Sequence, residues 1–291
     1  MLNDWINAAR PKTLFVGVAP VVAGSALAYA AGGFRLIPAL VCFFFALLAQ
    51  ITSNLVNDYF DFRHGADGAD RLGPERAVSA GKISPRAMLV ASVVTMTVAL
   101  ALGLTLVAYG GWWLVAVGAL VAVGAFAYSG GPYPLAYHGL GDVAVLIFYG
   151  IVPVAFTYYV QTLCFSPAVW AAGVALGLVG VNVLIVNNYR DADQDGACGK
   201  RTTVVLFGRR RMAIVYIANC AVAYNLGYVV VGGMSSVLLS IVLWMPFVVF
   251  SVVLWGKLRS LEGRALNKVL ALTALNVMLF ALTLSAGLLI G

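Results

Sequence analysis

Residues 87–108 read AMLVASVVTMTVALALGLTLVA and open a run of 55 residues, ending at Gly141, that contains no Asp, Glu, Lys or Arg. Two further charge-free runs cover 143–189 (47 residues) and 212–256 (45 residues). A helix that crosses a bilayer needs about 20 consecutive apolar residues. Each run is therefore long enough for two spanning helices and the turn that joins them.

Three shorter charge-free runs, at 13–34, 36–57 and 269–291, are each long enough for one helix. Charged residues make up 10% of the 291 residues, whereas they make up about a quarter of an ordinary soluble domain. A cytosolic globule is therefore excluded, and the runs lack the strict alternation of a transmembrane β-barrel. We predict an all-α integral membrane protein whose nine transmembrane helices lie at 14–32, 36–57, 87–108, 111–128, 142–160, 167–188, 212–231, 236–256 and 269–290.

The charges are distributed unevenly between the two faces of this arrangement. Short loops rich in Lys and Arg mark the cytoplasmic side of a membrane protein. With nine helices, 17 of the 18 basic residues and all 11 acidic residues lie on the side of the N-terminus, and Arg35 lies on the other side. We therefore predict a protein of the cell (inner) membrane with a cytoplasmic N-terminus and a cytoplasmic active site. The net charge of +7 reflects this topology, and we expect no nucleic-acid partner.

A polar cluster, which runs from Asn54 to Asp67, lies at the end of the second predicted helix. If the helix continues to about residue 61, Asn57 and Asp61 are four positions apart and share one face, with Asp58 close to it. Asp67 follows on a loop that contains glycine.

A matching cluster closes the sixth predicted helix, where Asn187, Asp191 and Asp195 occupy successive i,i+4 positions. Both clusters have the pattern N-x-x-x-D, which hints at an internal duplication of the segments 54–67 and 187–195. Carboxylates at this spacing destabilise a helix unless a cation neutralises them. Carboxylate and amide oxygens suit Mg²⁺, which completes its coordination with water and substrate phosphates. The alternative is that these are solvated carboxylates that balance nearby arginines.

Basic residues follow each cluster. Arg71 and Arg76 follow the first, and Lys200 and Arg201 follow the second. Cations and metal ions together neutralise the oxygens of a diphosphate, so the pattern favours a diphosphate site. Ordinary positive-inside residues are the alternative interpretation.

These residues resemble the UbiA-type intramembrane prenyltransferases. The shared pattern is Asn57-Asp58-x-x-Asp61 together with Asp191-x-x-x-Asp195. Three longer stretches more narrowly resemble the 1,4-dihydroxy-2-naphthoate prenyltransferases of menaquinone synthesis: ARPKTL at 9–14, 57–74, and YSGGPYPLAYHGLGD at 128–142.

Two positions depart from the wider superfamily. Its first motif usually has another Asp four residues after the position of Asp61, where this chain has Gly65, and the acid follows as Asp67. The naphthoate branch is similar in this shift. Many hydroxybenzoate-type relatives have Lys-Arg where this chain has Tyr137-His138, which argues against 4-hydroxybenzoate as the acceptor.

The resemblance implies that 1–291 is one domain, a nine-helix bundle in the lipid bilayer around a central cavity that holds an isoprenoid tail. It implies two Mg²⁺ ions that bridge the diphosphate of a polyprenyl diphosphate. Their catalytic ligands would be Asp61, Asp191 and Asp195, with Asn57 and Asn187. Further candidate ligands are Asn54, Asp58, Asp67 and Asn188.

The resemblance also implies how the substrates bind. Arg71, Arg76, Lys200 and Arg201 would bind the leaving diphosphate. Tyr128, with Tyr133, would shield the allylic cation through the ring face. The alternative for both tyrosines is an interfacial aromatic belt.

The acceptor implied by the resemblance is 1,4-dihydroxy-2-naphthoate, which is prenylated with loss of CO₂ to give a demethylmenaquinone. Arg10 or Lys12 would bind its carboxylate, and Asp142 would help to deprotonate a ring hydroxyl. A membrane-end anchor and a helix N-cap are the alternative roles. A related enzyme with homogentisate, 4-hydroxybenzoate or haem as the acceptor is the main rival. A transporter is disfavoured because the carboxylates lie at one end of the helices and not at the midplane.

Overall fold

The computed structural model describes residues 1–65, 71–232 and 237–290, and within these ranges it contains helices and no strand. Short 3₁₀ turns lie at Pro11–Thr13, Leu135–Tyr137 and Gly263–Ala265, and a π-helical turn lies at Ile147–Ile151. The α-helices are α1 (Leu2–Ala9), α2 (Leu14–Ala30), α3 (Leu36–Arg63), α4 (Pro85–Leu104), α5 (Val107–Gly110), α6 (Leu114–Ala127), α7 (Gly141–Leu146), α8 (Val152–Thr162), α9 (Pro167–Ala197), α10 (Thr203–Phe207), α11 (Arg209–Val231), α12 (Val237–Ser260) and α13 (Leu266–Ile290).

Eight helical segments of the described ranges are long and apolar enough to cross a membrane. The fourth predicted span, 111–128, is shorter than expected, since α6 has 14 residues. Such a helix is about 21 Å long, less than the roughly 30 Å of a hydrocarbon core. The all-helical membrane fold is confirmed, while the count of nine helices and the side of the N-terminus stay predictions.

Helices α3 and α9 continue beyond the apolar runs that predicted them. The sequence suggested ends at 57 and 188, whereas α3 ends at Arg63 and α9 at Ala197. The extensions contain Asp58, Asp61, Asp191 and Asp195, which are therefore all helical. Asp67 lies outside the described residues.

The outer surface of the bundle is apolar. Large side chains such as Val90, Val94, Leu238 and Val249 are exposed. Polar groups, by contrast, are buried inside, among them Asn182 and Thr273. This is the arrangement expected of a helical bundle that faces lipid, because lipid solvates apolar side chains and not polar ones.

Small residues hold α9 close to the segment that contains the π-helical turn. A Cβ atom at Gly177 would lie 2.6 Å from the carbonyl oxygen of Leu146, and one at Gly173 would lie 2.9 Å from the Cα of Ile151. Glycines permit such close approach of two backbones in membrane helices. The contact fixes α9, which carries the second polar cluster.

A central cavity of about 890 Å³ lies within the bundle, as the resemblance implied. Residues of α2, α3, α4, α6, α8, α9 and α13 line it. None of the described side chains of α11 and α12 lines it, and these two helices pack outside against α9 and α13.

Candidate active site

The polar end of the cavity is formed where α3 ends and α9 ends. Both N-x-x-x-D patterns therefore face the same space, lined by Asn57, Asp61, Asn187, Asp191 and Asp195. Asp61 and Asn187 are more than 120 residues apart in the chain, so no local pattern predicts that the two clusters meet. Their convergence was predicted from the resemblance alone.

Asn57 lies at the centre of the first cluster. Its Oδ1 accepts hydrogen bonds from the guanidinium groups of Arg10 (3.1 Å) and Arg76. Its Nδ2 donates to the hydroxyl of Ser129 at 3.0 Å. The side-chain oxygen of Asn57 is thus surrounded by positive charge.

Asp58 and Asn54 hold backbone segments in place. The two carboxylate oxygens of Asp58 accept from the backbone N–H groups of Ala77 (3.1 Å) and Val78 (3.3 Å). The amide of Asn54 donates to the carbonyl oxygen of Ala9 at 2.9 Å. Both residues line the cavity, and their hydrogen bonds anchor the loop after Arg76 and the end of α1. Their predicted role as metal ligands stays a prediction.

Asp61 is buried and has two partners on other segments. Nη2 of Arg76 lies 3.1 Å from Oδ2, and the hydroxyl of Tyr137 donates to Oδ1 at 3.0 Å. The sequence pointed to Arg76 but gave Tyr137 no site role. The position of Tyr137 within the 128–142 motif was the available signal.

The second cluster is organised around Arg190, which the sequence analysis did not predict. Its guanidinium donates to both oxygens of Asp191, at 2.7 and 2.5 Å, and to Oδ1 of Asn187 at 2.9 Å. Its remaining terminal nitrogen donates to Oδ1 of Asn267 on α13 at 2.7 Å. Arg190 stands between two predicted ligands in sequence, and this was a usable signal. No such signal in the sequence pointed to Asn267, because nothing in its local sequence relates it to either cluster.

Asp195 faces Lys200 at the end of α9. Nζ of Lys200 lies 3.7 Å from Oδ1 of Asp195, while the other oxygen of Asp195 is buried without a hydrogen-bond partner. The same Nζ lies 5.2 Å from the ring centre of Tyr137. Burial lowers the pKa of Lys200, but the carboxylates of Asp61, Asp195 and Asp191 outweigh it and raise this pKa above its ordinary value. Lys200 is therefore charged at neutral pH.

Three carboxylates of the two clusters are paired with cations. Asp61 faces Arg76, Asp191 faces Arg190 and Asp195 faces Lys200. Among the described residues, no three His, Cys, Asp or Glu side chains lie close enough to hold a metal ion together. The donor set itself, carboxylate and amide oxygens with one orphaned oxygen on Asp195, still fits a hard cation such as Mg²⁺.

The other predicted residues divide into two groups. The residues that line the cavity are Arg10, Lys12, Arg71, Tyr128, Asp142 and Asn188. Arg201 and Tyr133 do not line it. Arg201 is exposed and its backbone N–H donates to the carbonyl of Tyr137, while the exposed ring of Tyr133 stacks on His138.

Asp142 and Tyr128 lie beside each other at the polar end. One carboxylate oxygen of Asp142 is buried without a hydrogen-bond partner. The hydroxyl oxygen of Tyr128 would lie 3.4 Å from a Cβ atom at Gly141, the residue that precedes Asp142.

The rest of the cavity is apolar. It passes between α3, α4, α6 and α8 and is lined by side chains such as Phe45, Leu100, Val117, Phe148 and Phe156. These features define an integral membrane protein with a densely charged site at one end of an apolar chamber.

A family model described as the UbiA prenyltransferase family matches residues 17–284. The 1,4-dihydroxy-2-naphthoate octaprenyltransferase of Mycobacterium tuberculosis is 38% identical over 229 residues, which cover 78% of this chain and 77% of the relative. The protein of the same description from Haemophilus influenzae is 32% identical over 300 residues, covering 100% of this chain and 97% of the relative. The structure of a UbiA homolog from Archaeoglobus fulgidus bound to GPP and Mg²⁺ matches with a TM-score of 0.68 and 14% identity, over 98% of this chain and 99% of that chain.

The chain belongs to the UbiA prenyltransferase family and is a multi-pass membrane protein. The resemblance inferred from the paired motifs is confirmed, as is the narrower likeness to the naphthoate branch. The likeness to the solved structure supports the fold.

Proposed function

We propose that the protein transfers a polyprenyl group from polyprenyl diphosphate to 1,4-dihydroxy-2-naphthoate, with release of diphosphate and CO₂. The product is a demethylmenaquinone in its quinol form. The observation that carries this proposal is the convergence of both acid clusters at one end of a long apolar cavity. The relatives named for this activity, which align over three quarters or more of both chains, support the choice of acceptor.

The substrate tail occupies the apolar part of the cavity. Phe45, Phe148 and Phe156 offer ring faces and edges to an isoprenoid chain, and burial of such a chain is favourable by about 25 cal/mol per Å² of apolar surface. The diphosphate then lies between α3 and α9, where the charged side chains are.

The diphosphate is the group that needs most neutralisation. Two Mg²⁺ ions, held by Asn57 and Asp61 on one side and by Asn187, Asp191 and Asp195 on the other, would supply positive charge to its oxygens. The UbiA homolog bound to GPP and Mg²⁺ supports this choice of metal. Asn54 and Asp58 stabilise the site indirectly, because they bind the backbone carbonyl of Ala9 and the backbone N–H of Ala77.

The basic side chains of the site stabilise the leaving group. Arg71, Arg76 and Lys200 face the same end of the cavity, and the charge on Lys200 is retained because carboxylates surround it. Preorganised positive charge of this kind favours the transition state in which negative charge builds up on the diphosphate.

The carbon–oxygen bond of the substrate breaks to give an allylic cation. The ring of Tyr128 lines the cavity beside the acid clusters and stabilises this cation through its π face.

The acceptor carbon that bears the carboxylate attacks the cation, and the carboxylate leaves as CO₂. Arg10 and Lys12 line the cavity where they can bind this carboxylate before it leaves. Asp142 accepts the proton of a ring hydroxyl through its unpartnered oxygen, which makes the ring more electron-rich. It returns this proton to the same ring oxygen once CO₂ has left, which gives the quinol. The reaction takes place on the cytoplasmic side of the inner membrane, within a single domain that spans residues 1–291.

The experiment that tests this proposal uses the full chain in lipid nanodiscs. A polyprenyl diphosphate and 1,4-dihydroxy-2-naphthoate are added with and without Mg²⁺, and the lipid product is followed by mass spectrometry. Mg²⁺-dependent demethylmenaquinol formation is expected. Product with 4-hydroxybenzoate or homogentisate, and none with the naphthoate, overturns the assigned acceptor and leaves the prenyl transfer in place. An absence of any prenylated product overturns the proposal.

A further inference from the structure

Arg190 occupies the oxygens that the second acid cluster offers to the cavity. It is 3% exposed, and its guanidinium donates to both oxygens of Asp191 and to the oxygen of Asn187 at 2.5 to 2.9 Å. Of the three ligands predicted on this helix face, only Asp195 is not bonded to it.

A guanidinium that is hydrogen-bonded to these oxygens hinders a divalent cation from reaching them. Mg²⁺ approaches its ligands to about 2.0–2.1 Å and accepts only near-octahedral geometry. Two cations that share one pair of carboxylate oxygens also repel each other strongly in a medium of low dielectric constant. Arg190 and a metal therefore compete for Asp191 and Asn187.

Asn267 holds Arg190 in its present position. Its Oδ1 accepts from Nη1 of Arg190 at 2.7 Å, and its Nδ2 donates to the carbonyl oxygen of Leu72 at 3.0 Å. The loop that follows Arg71 is thus tied to the guanidinium through one side chain.

Gly73 lets this loop approach the guanidinium closely. A Cβ atom at Gly73 would lie 2.8 Å from Nη2 of Arg190 and 3.2 Å from Nη2 of Arg71. Two guanidinium groups therefore flank one small space at the polar end of the cavity. Two adjacent guanidinium forks provide the geometry that bidentate recognition of phosphate oxygens requires.

We propose that Arg190 is the resident counter-ion of the second acid cluster. It neutralises Asp191 and binds Asn187 while no metal is present, and it yields these oxygens to the metal when the diphosphate arrives. Its guanidinium then turns to the diphosphate oxygens beside Arg71. This inference rests on the proposed function, because it takes the diphosphate and the divalent metal as the ligands of the site.

Competition between Arg190 and a metal can be measured without turnover. Because Arg190 must be displaced, a divalent cation alone binds weakly to the wild-type protein. Removal of the competitor strengthens this binding. Typical coupling between two ligands changes affinity by about 5- to 150-fold, so about tenfold is a conservative expectation.

The test measures the dissociation constant of Mn²⁺, a spectroscopic probe for Mg²⁺ sites, by electron paramagnetic resonance with no diphosphate present. Arg190→Gln in the full-length protein in nanodiscs is expected to bind Mn²⁺ about tenfold more tightly than wild type. Arg209→Gln is the matched control, since Arg209 on α11 pairs with Asp193, an exposed residue of α9, the helix that also carries Arg190. The Mn²⁺ affinity of this control stays unchanged. Unchanged or weaker Mn²⁺ binding in Arg190→Gln overturns the proposal.

A second variant keeps the test decisive if Arg190→Gln folds poorly. Asn267→Leu leaves Arg190 in place and removes one of its hydrogen-bond partners. It is expected to tighten Mn²⁺ binding by a smaller factor, because the guanidinium is then held less firmly. A loss of thermal stability with no change in Mn²⁺ affinity in Asn267→Leu assigns Arg190 a purely structural role and overturns the proposal.

The failure of this inference is distinguishable from failure of the proposed function. If the wild type transfers the prenyl group but the Arg190 and Asn267 variants have unchanged Mn²⁺ affinity, only the counter-ion role is overturned. If Arg190→Gln binds Mn²⁺ more tightly but the wild type transfers no prenyl group, the competition between Arg190 and the metal is supported and the assigned reaction is overturned.

Discussion

The hydroxyl of Tyr137 donates a hydrogen bond to Asp61 at 3.0 Å, and the face of the same ring lies 5.2 Å from the ammonium of Lys200. One side chain from the 3₁₀ turn Leu135–Tyr137 thereby contacts Asp61 of the first cluster and Lys200, the partner of Asp195 in the second cluster. Its backbone carbonyl also accepts from the N–H of Arg201. Tyr137 therefore fixes the separation between the end of α3 and the segment that follows α9.

Tyr137→Phe removes this hydrogen bond and keeps the ring. A hydrogen bond to a charged group contributes about 1.5–3 kcal/mol, so the rate of prenyl transfer should fall about 10- to 100-fold while the protein folds normally. Single-turnover kinetics in nanodiscs measures the effect. Tyr133→Phe is the control, because Tyr133 is exposed and outside the cavity, and it should keep the wild-type rate.

Asp61→Asn and Asp191→Asn each remove one negative charge from the diphosphate site. Turnover should fall by about 100- to 1000-fold, the usual effect of removing one preorganised group at a developing charge. The measurement is product formation at saturating Mg²⁺, with gel filtration to verify folding. Asp193→Asn is the control. It alters a carboxylate on α9, the helix of Asp191, whose side chain is 86% exposed, and this variant should be fully active. Full activity of either cavity variant would remove that residue from the metal site.

Asp58→Ala tests whether this residue is an anchor for the loop after Arg76. The change leaves the buried N–H groups of Ala77 and Val78 without partners, which costs about 1–3 kcal/mol of the free energy of unfolding. Thermal unfolding in detergent measures the loss. Glu75→Gln breaks only the exposed ion pair with Lys82, which solvent screens, so the unfolding midpoint should change less than in Asp58→Ala. Equal stability of the two variants would contradict the anchor role.

Gly177→Ala tests the close contact between α9 and the segment before the π-helical turn. The added Cβ meets the carbonyl oxygen of Leu146 at 2.6 Å, and forced packing of this kind costs about 1–3 kcal/mol. A lower thermal midpoint is expected. Gly256→Ala is the matched change in α12, where no atom lies within 4 Å of the new Cβ, and it should not lower the midpoint. Identical midpoints for the two variants would show that the contact is not tight.

Much of the fold follows from the distribution of charge along the chain. Long uncharged runs require spanning helices whatever their neighbours are, so α2, α4 and α11 begin within a few residues of the expected positions. The ends of α3 and α9 were predicted too early. Both helices continue because the cavity supplies partners for their polar faces, and such partners are invisible in a local reading of the sequence.

The candidate site could be predicted only in part for the same reason. Asp61 and Asp191 lie in patterns that the resemblance made recognisable, and both line the cavity. Asn267 is brought to Arg190 by tertiary packing from 77 residues away, and no spacing rule relates the two. Arg201 was expected at the diphosphate because it adjoins Lys200, yet the turn after α9 directs neighbouring side chains in different directions.

The bond between the amide of Asn54 and the carbonyl of Ala9 has a practical consequence for handling the protein. It holds the end of α1 beside the mouth of the site, where Arg10 reaches Asn57. Asp4, Asn7 and Ala8 of α1 also line the cavity, so an affinity tag fused ahead of Met1 would lie close to the substrate site. The far end of α13, 25 residues and about 37 Å along the helix from Leu266, is the better point of attachment for surface immobilisation.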